Sequence, residues 1–387
     1  MDLNQRILAE LRELESGDEL RQLLPVHGID FSSNDYLGLA TDPRMKQAIL
    51  EAVDSAARVA STGSRLLSGH AETWTLLEND FARWVGTEAS LYFTSGYAAN
   101  VGLLTALLKP EDVVFSDSAN HASLIDGMRL TKCKRVIFPH LDLAFLQEEL
   151  ERNVSACGQM LIVVESIFSM EGDRAPLADL VALAEYYGAH LIVDEAHAIG
   201  VRGPRGSGCV AGAGLSQRVF ATVHTCGKAL AAAGAFVCGS ENLRRYLINR
   251  ARTFVFNTAL PPYFAAQVSG GMKLAMDAES QRVRLTELSA FLRRELRSKG
   301  FYIAGIDSQI IPVVLGSNHA AVHFAEYLQA RGFGVRAIRP PTVPPGFSRL
   351  RISLTAKHSE DIVAEMVATM VQARDEYSAT RAVSASQ

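Results

Sequence analysis

The stretch from Val223 to Gly234, VHTCGKALAAAG, contains a single charged residue, Lys228, set among small and apolar neighbours with no carboxylate in the run to pair with it. A lysine so placed is either a surface residue or a buried amine that needs a partner or a lowered pKa. Three other short stretches carry residues that could act with it. LIVDEAH puts Asp194 at the end of an apolar run with His197 three residues on. Taken alone, Asp194 reads as a helix N-cap. Asp194 and His197 as a metal pair lack the further spaced ligands such a site needs, so no metal is expected. DSANHASLIDG sets His121 among small polar residues, where a histidine by itself is more often structural than catalytic.

YFTSGYAAN ends an apolar run with Thr94, Ser95, Gly96 and Tyr97 before a helical pattern. Backbone N–H groups at such a helix start, with a glycine permitting close approach, suit a phosphate. STGSRLLSGH, residues 61–70, is a second small-residue loop able to approach a ligand. Two similar stretches are decoys. VRGPRGSG has its glycines in the wrong order for a dinucleotide fingerprint, and Lys228 is followed by Ala229, which excludes a Walker A loop. The informative set is the combination: a lysine able to form an imine, an acid at a strand end, two imidazoles and a phosphate cradle. Pyridoxal phosphate asks for that set, because it needs a Schiff-base lysine, a carboxylate that keeps its pyridine nitrogen protonated, and an anion site.

The elements that must position these residues follow from the hydrophobic pattern. From about residue 45, short runs such as SLYFTSG, DVVFSD, KRVIFPH, MLIVVESIFS, AHLIVDEAH, RVFATVHT and GAFVCGS alternate with helix-length segments. Runs apolar on both faces and separated by helices predict a mainly parallel sheet buried between helix layers, which binds ligands at its strands' carboxyl ends. Residues 3–24 carry Leu3, Ile7, Leu11 and Leu14 at helical spacing and predict an amphipathic helix ended by Pro25 and Gly28. A long helical stretch at 265–298, the strand-like SQIIPVVLG, GFGVRAI and SRLRISLT, and a closing helix at 359–377 predict a smaller α/β domain from about residue 262. The last ten residues, small and polar, are expected to fray.

Length and composition agree with one large domain and a smaller companion: 387 residues, 48% hydrophobic and 21% charged. A net charge of −4 without a long basic cluster argues against nucleic acid or an anionic membrane as a partner. Five scattered cysteines, Cys133, Cys157, Cys209, Cys226 and Cys238, never in a CxxC pair, read as reduced thiols of a cytoplasmic protein. The charged N-terminus lacks the apolar run of a signal peptide, and no segment is as long and apolar as a membrane span.

Eight ordered motifs, SSNDYLGL, GSRLLSGH, TSGYAAN, NHASLIDG, ESIFSMEGD, VDEAHAIG, HTCGKAL and IRPPTVPPGFSRLRISLT, resemble the α-oxoamine synthases among the fold-type I pyridoxal-phosphate enzymes, over some four-fifths of the chain. The resemblance implies a fold-type I transferase: an N-terminal helical segment at 1–34, a large cofactor-binding domain at 35–261 with a mainly parallel seven-stranded sheet, and a small C-terminal domain at 262–387. It implies that Lys228 carries the cofactor and moves the substrate's Cα proton. Asp194 is implied at the pyridinium nitrogen, His197 and Ser169 at the ring hydroxyl, and His121 on the ring face, with a catalytic role. Gly96, Tyr97 and Thr225 are implied at the phosphate and ring edge. Thr258 is implied to reach the phosphate from a partner subunit, hence a homodimer with shared active sites. Arg351 and Asn34 are implied at the substrate carboxylate, and Arg339 at the substrate or acyl chain.

Within the group, IRPPTVP favours condensation of L-alanine with a pimeloyl thioester, on CoA or an acyl carrier protein. The route implied runs through an external aldimine and a quinonoid, with loss of carbon dioxide, to 8-amino-7-oxononanoate for biotin synthesis. Sister enzymes that take glycine or serine are the alternative: 2-amino-3-ketobutyrate CoA ligase, 5-aminolevulinate synthase and serine palmitoyltransferase. Outside the group stand an aminotransferase and a non-catalytic subunit of a heterodimeric synthase. The latter would have no need of both Lys228 and His121. Three features depart from the family pattern: a short segment before DFSSNDY, which bears on any role for Arg21; Ala231, where relatives often have glycine; and Cys226.

Overall fold

Seven short apolar runs form one sheet: β1 Ala89–Phe93, β2 Val113–Asp117, β3 Lys134–Phe138, β4 Met160–Glu165, β5 His190–Asp194, β6 Ala221–Thr225 and β7 Ala235–Gly239. The structure, a computed structural model, describes residues 2–385 apart from 156, 157 and 306, so Cys157 lies outside the described residues. Spatial order is β1-β7-β6-β5-β4-β2-β3. The five strands from β6 to β3 are parallel, whereas β7 runs antiparallel to both β6 and β1. Every residue of β1, β2 and β4 is buried, as a sheet covered on both faces requires. One cluster gathers Leu103, Leu104, Leu124 and Leu247, and another gathers Phe115, Phe138, Leu146 and Val181.

These strands belong to a unit of Asp35–Ser169 and Arg174–Val283; the second unit comprises Met1–Asn34, Met170–Asp173 and Arg284–Gln387. The helical stretch expected at 265–298 is two helices, Tyr263–Met276 and Glu279–Ser298, broken at Asp277 and Ala278. The first, expected to open the smaller domain, packs instead within the larger unit against helix Pro43–Asp54. Gly271 allows the close approach of that helix to the lysine loop, since a Cβ there would lie 2.1 Å from the Leu230 carbonyl oxygen.

The second unit holds an antiparallel sheet of β8 Ile310–Gly316, β9 Ala337–Ile338 and β10 Ser348–Ser353 in the order β9-β10-β8. A two-residue parallel pair joins Ile29–Asp30 to Phe333–Gly334. The N-terminal helix is shorter than its apolar spacing predicts. It runs Leu3–Ser16 with a capping box at Asp2 and Gln5, then stops at Gly17, after which Asp18 adopts φ 54°. The closing helix is longer than expected, running Glu360–Ala385. Among the described residues no helix is long and apolar enough to cross a membrane.

Candidate active site

The parallel strands and β6 bring the chemistry-bearing residues to one end of the larger unit's sheet. Glu165 closes β4 and Asp194 closes β5, and the two are register partners on adjacent strands. Thr225 closes β6, and the loop Cys226–Gly234 carries Lys228 before the chain returns as β7. That loop is tied at its base by Cys226 N–H donating to the Gly234 carbonyl (2.8 Å) and Ala232 N–H to the Cys226 carbonyl (2.9 Å). Lys228 is half-buried, and its charge acts on both His121 and Glu165. The lysine that has no carboxylate in its own stretch thus faces an acid delivered by another strand.

Asp194 is 4% exposed. Its Oδ1 accepts the Ala196 N–H (2.8 Å) in an Asx turn with no helix starting directly after it, so Asp194 is not the helix N-cap it reads as alone, and its Oδ2 accepts from Asn100 Nδ2 (2.7 Å). Asn100 also donates to Ser123 Oγ (2.9 Å), which lies 2.8 Å from His121 Nδ1. A continuous polar chain therefore links Asp194 to His121. His121 caps helix Ala122–Arg129, its Nδ1 accepting the Ser123 N–H (3.2 Å), so the neutral ring carries its proton on Nε2. Its residue surface is exposed, yet desolvation of the imidazole holds its pKa below the ordinary value; Asp194 opposes that shift and Lys228 reinforces it. His197 is buried, with Nδ1 2.6 Å from the hydroxyl of fully buried Tyr36.

Ser95 caps helix Gly96–Leu107 by accepting the Ala98 N–H (3.0 Å), at the helix start whose first-turn N–H groups suit a phosphate. A Cβ on Gly96 would sit 2.4 Å from Thr225 Cγ2, so the helix start and the end of β6 close on each other only because residue 96 is glycine. Thr225 Oγ1 donates to the Ala196 carbonyl (3.4 Å), and the exposed Tyr97 donates its hydroxyl to Asp126 Oδ2 (2.6 Å). Buried Ser169 donates its N–H to Glu165 Oε2 (3.2 Å). Exposed Thr258 pairs with Ser64, holding the loop of residues 61–70 against 258–260. In the same loop Arg65 is ion-paired with the buried Glu78.

The smaller unit holds the other three residues. Arg351, 8% exposed on β10, donates to Ser353 Oγ (2.7 Å) and to Asn34 Oδ1 (3.1 Å), so those two residues are brought together. Arg339 is engaged with the backbone carbonyls of Asp18 and Leu20, which sets it on the N-terminal segment. Arg21 lies by the same stretch, donating to the Pro340 carbonyl and Thr342 Oγ1, both at 3.3 Å.

Sequence reasoning did not single out Asn100, Ser123, Tyr36 or Glu165. Asn100 carried the plainest signal: a polar amide with poor helix propensity in an otherwise small and apolar helix. Directly behind the site lies a second buried polar group, Glu195 and His224. A Cβ on Gly208, φ 103°, would lie 1.9 Å from Glu195 Oε2 and 3.7 Å from His224 Cε1. Burial pushes the Glu195 carboxyl up to about 7 and the His224 imidazole down to about 3.

The donor set fits pyridoxal phosphate. A primary amine, a buried carboxylate oriented by an amide, two imidazoles, and a glycine-lined helix start narrowed by Thr225 are the groups that an aldehyde, a pyridine nitrogen, a ring hydroxyl and a phosphate require.

The family model for aminotransferase class I and II matches residues 26–370. An 8-amino-7-oxononanoate synthase of Burkholderia orbicola is 43% identical over 353 residues, 90% of this chain and 86% of the relative. One of Geobacter sulfurreducens is 41% identical over 385 residues, 96% of this chain and 98% of the relative. Among solved structures, Sphingomonas wittichii serine palmitoyltransferase superposes with a TM-score of 0.88 at 30% identity, covering 96% of this chain and 98% of that one. Francisella tularensis 8-amino-7-oxononanoate synthase gives 0.79 at 28% identity, covering 90% and 99%.

Proposed function

Because the chain belongs to the aminotransferase class I and II family, we propose that it condenses L-alanine with a pimeloyl thioester, releasing a thiol and carbon dioxide, to form 8-amino-7-oxononanoate for biotin synthesis. It is a pyridoxal-phosphate enzyme of fold type I. The observation that carries the substrate assignment is the near full-length similarity, 41% over 385 residues, to a relative bearing that product's name. The serine palmitoyltransferase fold neighbour, at 30% identity, supports the second reading, a serine-using or glycine-using sister reaction.

When bound, the cofactor supplies an electron sink for the bond pair left at the amino acid's Cα. The rest falls to the chain. Lys228 holds the cofactor and afterwards moves the proton at Cα, a role that suits a primary amine able to form an imine and, once released from it, to act as a base. Asp194, kept in place by Asn100 and the Ala196 N–H, holds a proton on the pyridine nitrogen. His121 offers a neutral ring as a stacking face, and its Nε2–H can bond an acyl oxygen. His197, steadied by Tyr36, and Ser169 are assigned to the ring hydroxyl. Gly96, Tyr97 and Thr225 are assigned to the phosphate, with Thr258 contributed by the second copy of a homodimer. Arg351 and Asn34 are assigned to the substrate carboxylate, a planar bidentate task for arginine, and Arg339 to the stretch of chain bordering the acyl group.

Titration of the holoenzyme with L-alanine, glycine and L-serine, followed by pimeloyl-CoA, tests the reading. Alanine is expected to shift the cofactor's absorbance at the lowest concentration, and pimeloyl-CoA then to release free thiol. A shift specific to serine or glycine, or thiol release only from another acyl chain, would move the protein to the sister reaction.

A further inference from the structure

Glu165 is not needed by any role assigned above, yet it is built into the same strand ends. It is 2% exposed, closes β4, and pairs in register with Asp194 on β5, so two buried carboxyl groups share one edge of the sheet. Oε2 accepts the Ser169 N–H (3.2 Å), and the carboxyl also accepts the backbone N–H of His121. Oε1 is buried and has no partner among the described residues. An ionised carboxylate with a bare buried oxygen beside a second carboxylate is the arrangement electrostatics disfavours most.

We propose that Glu165 is a positioning residue that retains its proton: it pins the backbones of His121 and Ser169 and leaves an O–H, without an acceptor among the described residues, available to the cofactor. The groups that face it fit this state. Burial and the Asp194 charge both favour the protonated form, while Lys228 and the two N–H donors oppose it. With Glu165 neutral, Asp194 remains the one carboxylate able to hold the pyridinium proton. The inference rests on the cofactor and not on which amino acid or thioester is used, so it stands or falls separately from the proposed condensation.

Infrared difference spectra of the holoenzyme and the Glu165→Gln holoenzyme at neutral pH test it. The protonated-acid carbonyl band of Glu165 is expected in the parent and missing from E165Q, with any band from Glu195 cancelling. Because Gln is also neutral and keeps a carbonyl acceptor, E165Q is expected to bind pyridoxal phosphate within about threefold of the parent. Its lysine-bound chromophore should titrate at nearly the parent's pH. E165A, which leaves the Ser169 and His121 N–H groups without their acceptor, is expected to weaken cofactor binding about tenfold or more. No band difference, or a fall of about one unit or more in the E165Q chromophore's midpoint, would show that an anion had been removed and overturn the proposal. Loss of cofactor binding in E165Q as complete as in E165A would also overturn it.

Discussion

At the scale of single residues, two buried groups behind the site titrate in opposite senses. Glu195, raised from 4.5 to about 7, binds its proton more tightly in the folded chain, so its contribution to stability falls as pH rises from 4.5 to 7. His224, lowered from 6.5 to about 3, binds its proton more weakly when folded, so its contribution rises with pH from 3 to 6.5. Between pH 4.5 and 6.5 the two slopes cancel. Replacing Glu195 with Gln removes one of them, so between pH 4.5 and 6.5 the stability of E195Q is expected to rise with pH relative to the parent's. The slope is about 1.4 kcal/mol per pH unit. Chemical denaturation of both proteins at several pH values measures it, and an E195Q profile parallel to the parent's would remove Glu195 from the account. The same scale shows why Asp194 was legible and Asn100 was not. An acid closing an apolar strand announces itself, but an amide's partner lies 94 positions away and only the fold supplies it.

Among elements, the lysine loop shows what a local pattern could and could not convey. The motif HTCGKAL points to the lysine, and the following run GAFVCGS points to a strand. That this strand runs antiparallel, returning β7 directly beside β6, is a matter of pairing that short apolar runs do not encode. Helix ends were lost for a related reason: apolar spacing continues past Ser16, but Gly17 and the left-handed Asp18 end the helix. The helix start at Ser95 and Gly96 was clearer, because serine and glycine mark it. Ala231 is the loop's strained point, with φ 48° in the region where glycine is at ease. Its N–H donates to the Lys228 carbonyl (2.9 Å), so the strain is kept by the turn that presents the lysine. A231G is expected to stabilise the protein by about 1 kcal/mol, the left-handed strain outweighing the extra freedom of the unfolded chain. A thermal or denaturant melt checks this, and a destabilised A231G would mean the alanine methyl contributes more in packing than it costs in strain.

For the whole molecule, the distribution of reporters makes one unit visible by itself. Trp74 and Trp84 are both on helix Glu72–Val85, in the larger unit that also carries Lys228, Asp194, His121 and His197. A ligand that binds the folded unit raises its stability by about 2.7 kcal/mol at a hundred times its dissociation constant. Pyridoxal phosphate is therefore expected to raise the midpoint of the tryptophan-monitored transition, and K228A to cut most of that gain. An equal gain in K228A would place the stabilising interaction elsewhere. At this scale the sheet and its strand number were readable because alternating runs and helices leave few alternatives. The division of the chain was harder to read, since helix Tyr263–Met276 follows a Pro-Pro pair that looks like a boundary, yet its glycine face packs back on the lysine loop.

The buried thiol of Cys226 gives that loop a clock. It is 0% exposed, two residues before Lys228, and burial raises its pKa well above that of a free thiol. A thiol reagent can reach it only when the ties between Cys226, Ala232 and Gly234 open, so its modification rate, resolved by mass spectrometry, counts those openings. Cofactor joined to Lys228 should slow the count while leaving Cys133, distant in sequence, at its own pace. A rate indifferent to the cofactor would mean that the loop opens without regard to what its lysine holds.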